Sequence, residues 1–322
     1  MKIVSLALNL PGPVAVARLV AGGASAIKIE PPWGDPLAGI CKPWYDELHA
    51  RVTVERLDLK TVAGMAALKV RLGFADVFIA GHRPRALARL GLDADALAAQ
   101  FPNLRHLNIV GDKSHPDEAG HDLNYQARAG LVQGALPLTL AADMAGAERA
   151  HGAVLALMHA GPGSRRVVGL FDAVNDLAAP LRFGLTAPGG PLGGGNPAYA
   201  IYPTKEGLVA IGALEPHFRA RLYETLELPD GSDLSITMLT RTAREWEQWA
   251  LARDIPLVVV KTSHGNTETQ NLSFQKKYFL CFRGSCFFQG FFLARAFFFG
   301  GGAGVNSSIT LLMVATGRPA AV

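Results

Sequence analysis

The sequence predicts an α/β fold built on a parallel, doubly wound sheet, and three observations carry that prediction. A compact strand, turn, helix and strand open the chain; the alternation recurs to about residue 110; and a glycine-rich stretch at 187–197 marks a change of texture. Residues Ile3 to Leu8 form a short apolar run without alternation, as expected of a strand buried on both faces. Pro11, Gly12 and Pro13 make a turn, and Val14 to Ala21 has the composition of a helix that stops at Gly22-Gly23. Ala26 to Glu30 is the second strand, ended by Pro31-Pro32. So short a unit implies a right-handed crossover between parallel strands.

The pattern then repeats. A helix is predicted from Thr61, its N-cap, to Leu72, with a strand over Asp76 to Ala80. A helix over Ala94 to Gln100 leads to a strand over Leu104 to Val110, and more helix is expected from Ala141 to His159. Residues 1–186 are therefore assigned to a large domain and 187–197 to a linker or a mobile cover. Residues 198–260 are assigned to a smaller α+β domain. There, Tyr199 to Tyr202 and Leu208 to Ala213 read as a hairpin around Lys205-Glu206-Gly207, followed by a helix over Arg241 to Arg253 and a strand over Ile255 to Val260.

Composition sets limits on function. The chain has 322 residues, 49% of them hydrophobic and 18% charged, which excludes a disordered protein and a disulfide-stapled miniprotein. Its net charge of +4 raises the question of nucleic acid, but the excess is local. Residues 261–322 hold six of the 31 basic and one of the 27 acidic residues, leaving 25 against 26 in the rest. Neither a nucleic-acid nor a membrane partner is expected. The three cysteines form no paired motif, and the first residues lack a secretory pattern, so a reducing, cytoplasmic setting is expected. The best candidate for a membrane span, Ala296 to Gly317, is uncharged but broken by glycine, asparagine and serine and is too short in its apolar part to span a bilayer.

Standard fingerprints are absent. The first turn reads NLPGP rather than a dinucleotide-binding glycine pattern, and there is no Walker loop, no G-x-S-x-G elbow and no H-E-x-x-H. Nor do the histidines show metal-ligand spacing, so no metal is expected. Four acid/base residues nevertheless stand in unusual settings. His121 and Asp122 lie in GHDLNY, Asp143 interrupts the apolar stretch 136–147, and Glu215 follows an apolar strand and precedes Pro216. Carboxyls at the ends of buried elements are candidates for the raised pKa that acid/base chemistry near neutrality needs. Taken singly, each is also the residue type that caps a helix or decorates a surface.

Taken in order along the chain, the motifs resemble those of the class III CoA-transferase family, which includes CoA-transferases and α-methylacyl-CoA racemases. The resemblance rests on NLPGP and GGASAIKIEPPWGDP, LDLK at 57–60, ADVFIAGHRP, GHDLNYQARAGL at 120–131, AADMAGA at 141–147 and GGGNPAYAIYPTKEGLVAIGALEPHF at 193–218. It implies a Rossmann-like large domain with a parallel sheet, a smaller α+β domain and an interlocked homodimer. It also implies an acyl-CoA substrate, with coenzyme A entering as part of the substrate and no separate cofactor. CoA would lie along Leu57, Asp58, Leu59 and Lys60, then Gly81, His82 and Arg83, with Arg89 and Tyr125. Arg and Lys suit its phosphates.

The resemblance leaves two chemistries open. In the transferases, the aspartate matching Asp143 attacks the thioester and carries CoA to an acceptor acid. In the racemases, His121 would be oriented by Asp143, and Asp122 would pair with Glu215. The two couples would then exchange the α-proton of a 2-methylacyl-CoA through an enolate. All four racemase positions are occupied, which favours racemisation. There are also departures: Leu37-Ala38-Gly39 replaces a phosphate-binding arginine after Asp35-Pro36, Arg85 replaces a glycine, and the loop at 111–122 is short. From about Thr262 onward no family motif is recognised, and residues 261–322 carry 10 of the 16 phenylalanines, between Phe274 and Phe299. That tail reads as a wrong-frame or mis-joined segment, which makes a non-catalytic product a third reading.

Overall fold

The structure is a computed structural model of the chain, and it describes residues 1–261; the expectations for the tail lie outside the described residues. The elements follow in order: β1 (Lys2–Ser5), α1 (Pro11–Ala21), β2 (Ser25–Glu30), α2 (Pro36–Ile40), α3 (Lys42–His49), β3 (Thr53–Arg56) and α4 (Val62–Leu72). Next come β4 (Val77–Ala80), α5 (Pro84–Arg89), α6 (Ala94–Gln100), β5 (Arg105–Val110), α7 (Asp122–Arg128), α8 (Ala141–Ala160), β6 (Arg165–Gly169), α9 (Leu170–Leu177) and α10 (Ala179–Arg182). The last are β7 (Tyr199–Pro203), β8 (Leu208–Gly212), α11 (Pro216–Thr225), α12 (Ser235–Met238), α13 (Ala243–Leu251) and β9 (Leu257–Val259).

Six strands pair in parallel in the order β3-β2-β1-β4-β5-β6. The order reverses between β1 and β4, which opens a crevice beyond their C-terminal ends, the usual ligand position in such sheets. One face of the sheet buries Ile3, Val77, Ile79, Leu107 and Ile109 against Val16 and Leu19 of α1 and Val154 and Leu157 of α8. The other buries Val4, Phe78 and Ala80 against Leu68 and Leu72 of α4 and Leu97 of α6. With helices on both faces, β4 is buried at every position, which explains an apolar run without alternation.

Local chemistry sets the boundaries. Helix α1 begins at Pro11, three residues earlier than the sequence suggested, because proline suits the first turn. Gly12 must be glycine: a Cβ there would lie 2.1 Å from the Ala7 Cβ. The first strand ends at Ser5 rather than Leu8, as the chain leaves the sheet toward Asn9. Thr61 caps α4 as predicted, its hydroxyl accepting the Gly64 N–H at 3.1 Å. Residues 199–259 carry a second, antiparallel sheet in the order β7-β8-β9, with the predicted hairpin closed by the Thr204 N–H to the Gly207 carbonyl at 3.0 Å. Beneath it Trp246 and Trp249 meet edge to face at 5.1 Å, and the Trp246 indole donates to the Met238 carbonyl. Among the described residues no helix is long and apolar enough to cross a membrane.

Candidate active site

The expected CoA-contact residues cluster by topology. Leu57 to Lys60 follow β3 and Gly81 to Arg83 follow β4, so both loops stand past the C-terminal ends of parallel strands, while Arg89 ends α5 and Tyr125 lies in α7. Strands β3 and β4 are three places apart in the sheet, roughly 14 Å at ordinary strand spacing. Backbone packing shapes both loops. The Asp58 carbonyl approaches α4 so closely that a Cβ at Gly64 would meet it at 2.1 Å, and a Cβ at Gly81 would meet the Ala7 Cβ at 3.3 Å. Lys60, Arg83 and Arg89 are exposed, whereas His82 is half-buried, its Nδ1 has no partner among the described residues, and burial lowers its pKa.

The four acid/base candidates are placed differently from the expected couples. Asp122 is buried at the start of α7, and its Oδ1 accepts the backbone N–H groups of Ala142 at 2.7 Å and Asp143 at 3.1 Å. Its Oδ2 accepts from Gln126 at 2.5 Å, and Gln126 also donates to the Thr139 carbonyl at 2.9 Å. Asp122 thus caps α8 across 20 residues of sequence. That leaves Glu215 elsewhere: it is exposed at the N-cap of α11 and makes no side-chain cap bond. The expected Asp122–Glu215 couple is not formed within the chain, because satisfying the free N–H groups of α8 takes up the Asp122 carboxylate.

Asp143 stands in the first turn of α8, and its carboxyl is pushed up to about 7, first by burial and then by the negative charge of Asp122. His121, the N-cap of α7, is exposed, and among the described residues no hydrogen bond joins its ring to Asp143, so the expected orienting bond is also absent. The start of α7 is nevertheless tied to the start of α8 through Asp122. Tyr125 completes the group. Its phenol is pushed up by burial and by Asp143, and it sits where a Cβ on Gly111 would come within 2.0 Å of the hydroxyl and one on Gly120 within 2.5 Å.

Sequence reasoning missed Gln126, although its place four residues after Asp122 on a helix was a readable signal. It also missed a second acidic group. The Lys28 Nζ lies 3.2 Å from Glu30 Oε1 and 2.9 Å from His49 Nε2 and is bonded to Asp35, while Tyr45 donates to Glu30 at 2.8 Å. Glu30, Asp35 and His49 converge as metal ligands would, but the Lys28 ammonium already stands among them as the cation.

With this geometry in view, the comparisons with known proteins agree. The model of CoA-transferase family III matches residues 1–275, which carries the family match past Thr262, where the recognised motifs were expected to stop. The chain is 32% identical over 196 residues to the alpha-methylacyl-CoA racemase of Mus musculus, covering 53% of this chain and 51% of that protein. It is 25% identical over 264 residues to the succinyl-CoA:glutarate CoA-transferase of Homo sapiens, covering 73% and 60%. It is also 31% identical over 139 residues to the cinnamoyl-CoA:phenyllactate CoA-transferase of Clostridium sporogenes, covering 39% and 34%. The chain thus spans between a third and three fifths of the length of these curated relatives. In fold it is similar to the crystallised hypothetical protein Rv3272 from Mycobacterium tuberculosis, with a TM-score of 0.72 at 22% identity over 85% of this chain and 88% of that one. From its sheet order, its motifs and this match over most of its length, the chain belongs to CoA-transferase family III.

Proposed function

We propose that the chain exchanges the α-proton of a 2-methyl-branched acyl-CoA, with Asp143 as one acid/base group and His121 as the group on the opposite face. The carrying observation is the Asp143 carboxyl, raised to about 7. A group poised at neutrality is present as both acid and base, and epimerisation in both directions requires that of each face. A histidine is the natural second group because imidazole changes charge in the same range. Two groups that work from opposite faces of a carbon need no bond to one another, which suits the unbonded His121 and Asp143 better than an orienting pair. The Tyr125 phenol, whose pKa is raised first by burial, would be the donor to the thioester oxygen as enolate charge develops.

The proposal includes CoA held along the strand ends by Lys60, Arg83 and Arg89, and a homodimeric active form. Support for the dimer comes from the strongly exposed Leu136 and Leu138 in the segment leading to Asp143, which a second subunit would cover. A second reading, CoA transfer between carboxylic acids with Asp143 as nucleophile, is favoured by relatives named as CoA-transferases. One experiment separates the two. Incubated in deuterium oxide with a chiral 2-methylacyl-CoA, the enzyme is expected to place deuterium at C2 and erode chirality. Absence of label, together with an Asp143-dependent CoA thioester trapped by hydroxylamine, would replace exchange with transfer.

A further inference from the structure

The β5–α7 loop, residues 111–121, delivers His121 and Asp122, and its own glycines enclose the Tyr125 hydroxyl. It is short and polar, yet it is anchored at both ends and in the middle. At its start the Gly111 carbonyl accepts the Phe171 N–H at 2.8 Å, and the Lys113 N–H donates to Asp172 at 3.2 Å. Along its length Arg128, at the far end of α7, holds Asp112 at 2.7 Å and approaches Glu118 at 3.6 Å, its guanidinium lying 4.9 Å above the Phe171 ring. Near its tip, Asp117 reaches across to α5.

That last contact joins two parts of the site. Helix α5 begins beside Arg83, which offers no side-chain cap. The orphan N–H of Arg85 instead donates to Asp117 Oδ1 at 3.1 Å, from 32 residues away. The Arg85 guanidinium adds little, since its side chain is 82% exposed and its Nε stands 3.5 Å from an Asp117 that is only 31% exposed. The anchor is therefore a charge-assisted cap on a helix start. We infer that Asp117 is a positioning residue: by capping α5 it fastens the loop carrying His121 and Asp122 to the loop carrying Gly81 to Arg83. This rests on the proton-exchange reading for its consequence on turnover, but not for the clasp itself.

Full-length Asp117→Ala, Asp117→Asn and Arg85→Ala test the inference by amide hydrogen exchange over residues 112–121, affinity for free CoA, and deuterium incorporation at C2. Asp117→Ala is expected to speed exchange in the loop and lower kcat by about tenfold, as loss of one charge-assisted hydrogen bond implies, with CoA affinity changed less than about twofold. Asp117→Asn should recover most of both losses, because its carboxamide oxygen still accepts the Arg85 N–H. Arg85→Ala should behave like the unmodified protein, because that N–H remains. Unchanged loop exchange in Asp117→Ala overturns the inference, as does an Arg85→Ala variant as damaged as Asp117→Ala. If the unmodified protein shows no exchange at C2, the proton-exchange reading fails, while the amide exchange still decides the clasp.

Discussion

Two groups of acids wholly or partly withdrawn from solvent lie at the rim of the same sheet and are handled in opposite ways. At the end of β2 and just beyond it, Glu30 and Asp35 are buried with the Lys28 ammonium between them. Between α7 and α8, buried Asp122 and half-buried Asp143 stand together, and among the described residues no cation bonds to either carboxylate. Asp122 is stabilised by two backbone N–H groups and Gln126, and the cost of burial falls on Asp143. The first arrangement gives a fixed, ion-paired support: Asp35 caps α2 and holds the Asn9 N–H at 3.0 Å, keeping the turn after β1 in place despite the left-handed backbone of Asn9 at φ 62°. The second gives a carboxyl free to gain and lose a proton. The difference between support and reactivity lies in one missing cation.

Removing the cation from the first group should have the largest effect. Lys28→Met leaves Asp35 buried without a positive partner and Glu30 with only the exposed Arg56 guanidinium at 3.9 Å, and breaking a buried pair this way costs about 3–5 kcal/mol. The urea midpoint at pH 7 should fall accordingly. A Lys28→Met variant as stable as the unmodified protein at pH 7 would end the comparison.

Neutralising the second group should act in the other direction. The Asp143 carboxyl titrates at about 7 in the folded chain against 3.8 unfolded, so the native state keeps a proton that the unfolded chain releases in between. Its contribution to stability is therefore fully present below pH 4 and lost as pH rises to about 7. Asp143→Asn should abolish activity yet stabilise the fold at pH 8 by about 2–4 kcal/mol, with no gain at pH 4. Thermal unfolding at the two pH values reads the sign directly.

The two groups also differ in how readable they were. The strand alternation and the burial of β4 are visible in apolar runs, because a strand covered on both faces has little choice of side chain. The edge strands were not: β3 reads TVER and β6 reads RRVVG, as edges left partly in solvent do. The charged Lys28 inside AIKIE, two residues before Glu30, was a legible sign of a buried ion pair. Asp143 was legible as an acid in an apolar stretch, but the role of Asp122 was not. Its side chain is committed to N–H groups of a helix 20 residues away, and no local spacing encodes that distance.

That long-range cap supplies the smallest and most diagnostic test. Asp122→Asn keeps an oxygen to accept the Ala142 and Asp143 N–H groups but removes the negative charge that adds to the effect of burial on Asp143. Burial is the larger cause, so the midpoint of the pH–rate profile should move down by less than about one unit, with most of the elevation retained. Asp122→Ala should do something different, because it strips the cap from α8 and costs about 1–2 kcal/mol of stability. If Asp122→Asn instead abolishes turnover at every pH while CoA still binds, Asp122 handles a proton itself and the division between support and reactivity must be redrawn. If it moves the profile and little else, Asp122 tunes Asp143 through its charge while its hydrogen bonds hold α8, and one residue serves both purposes.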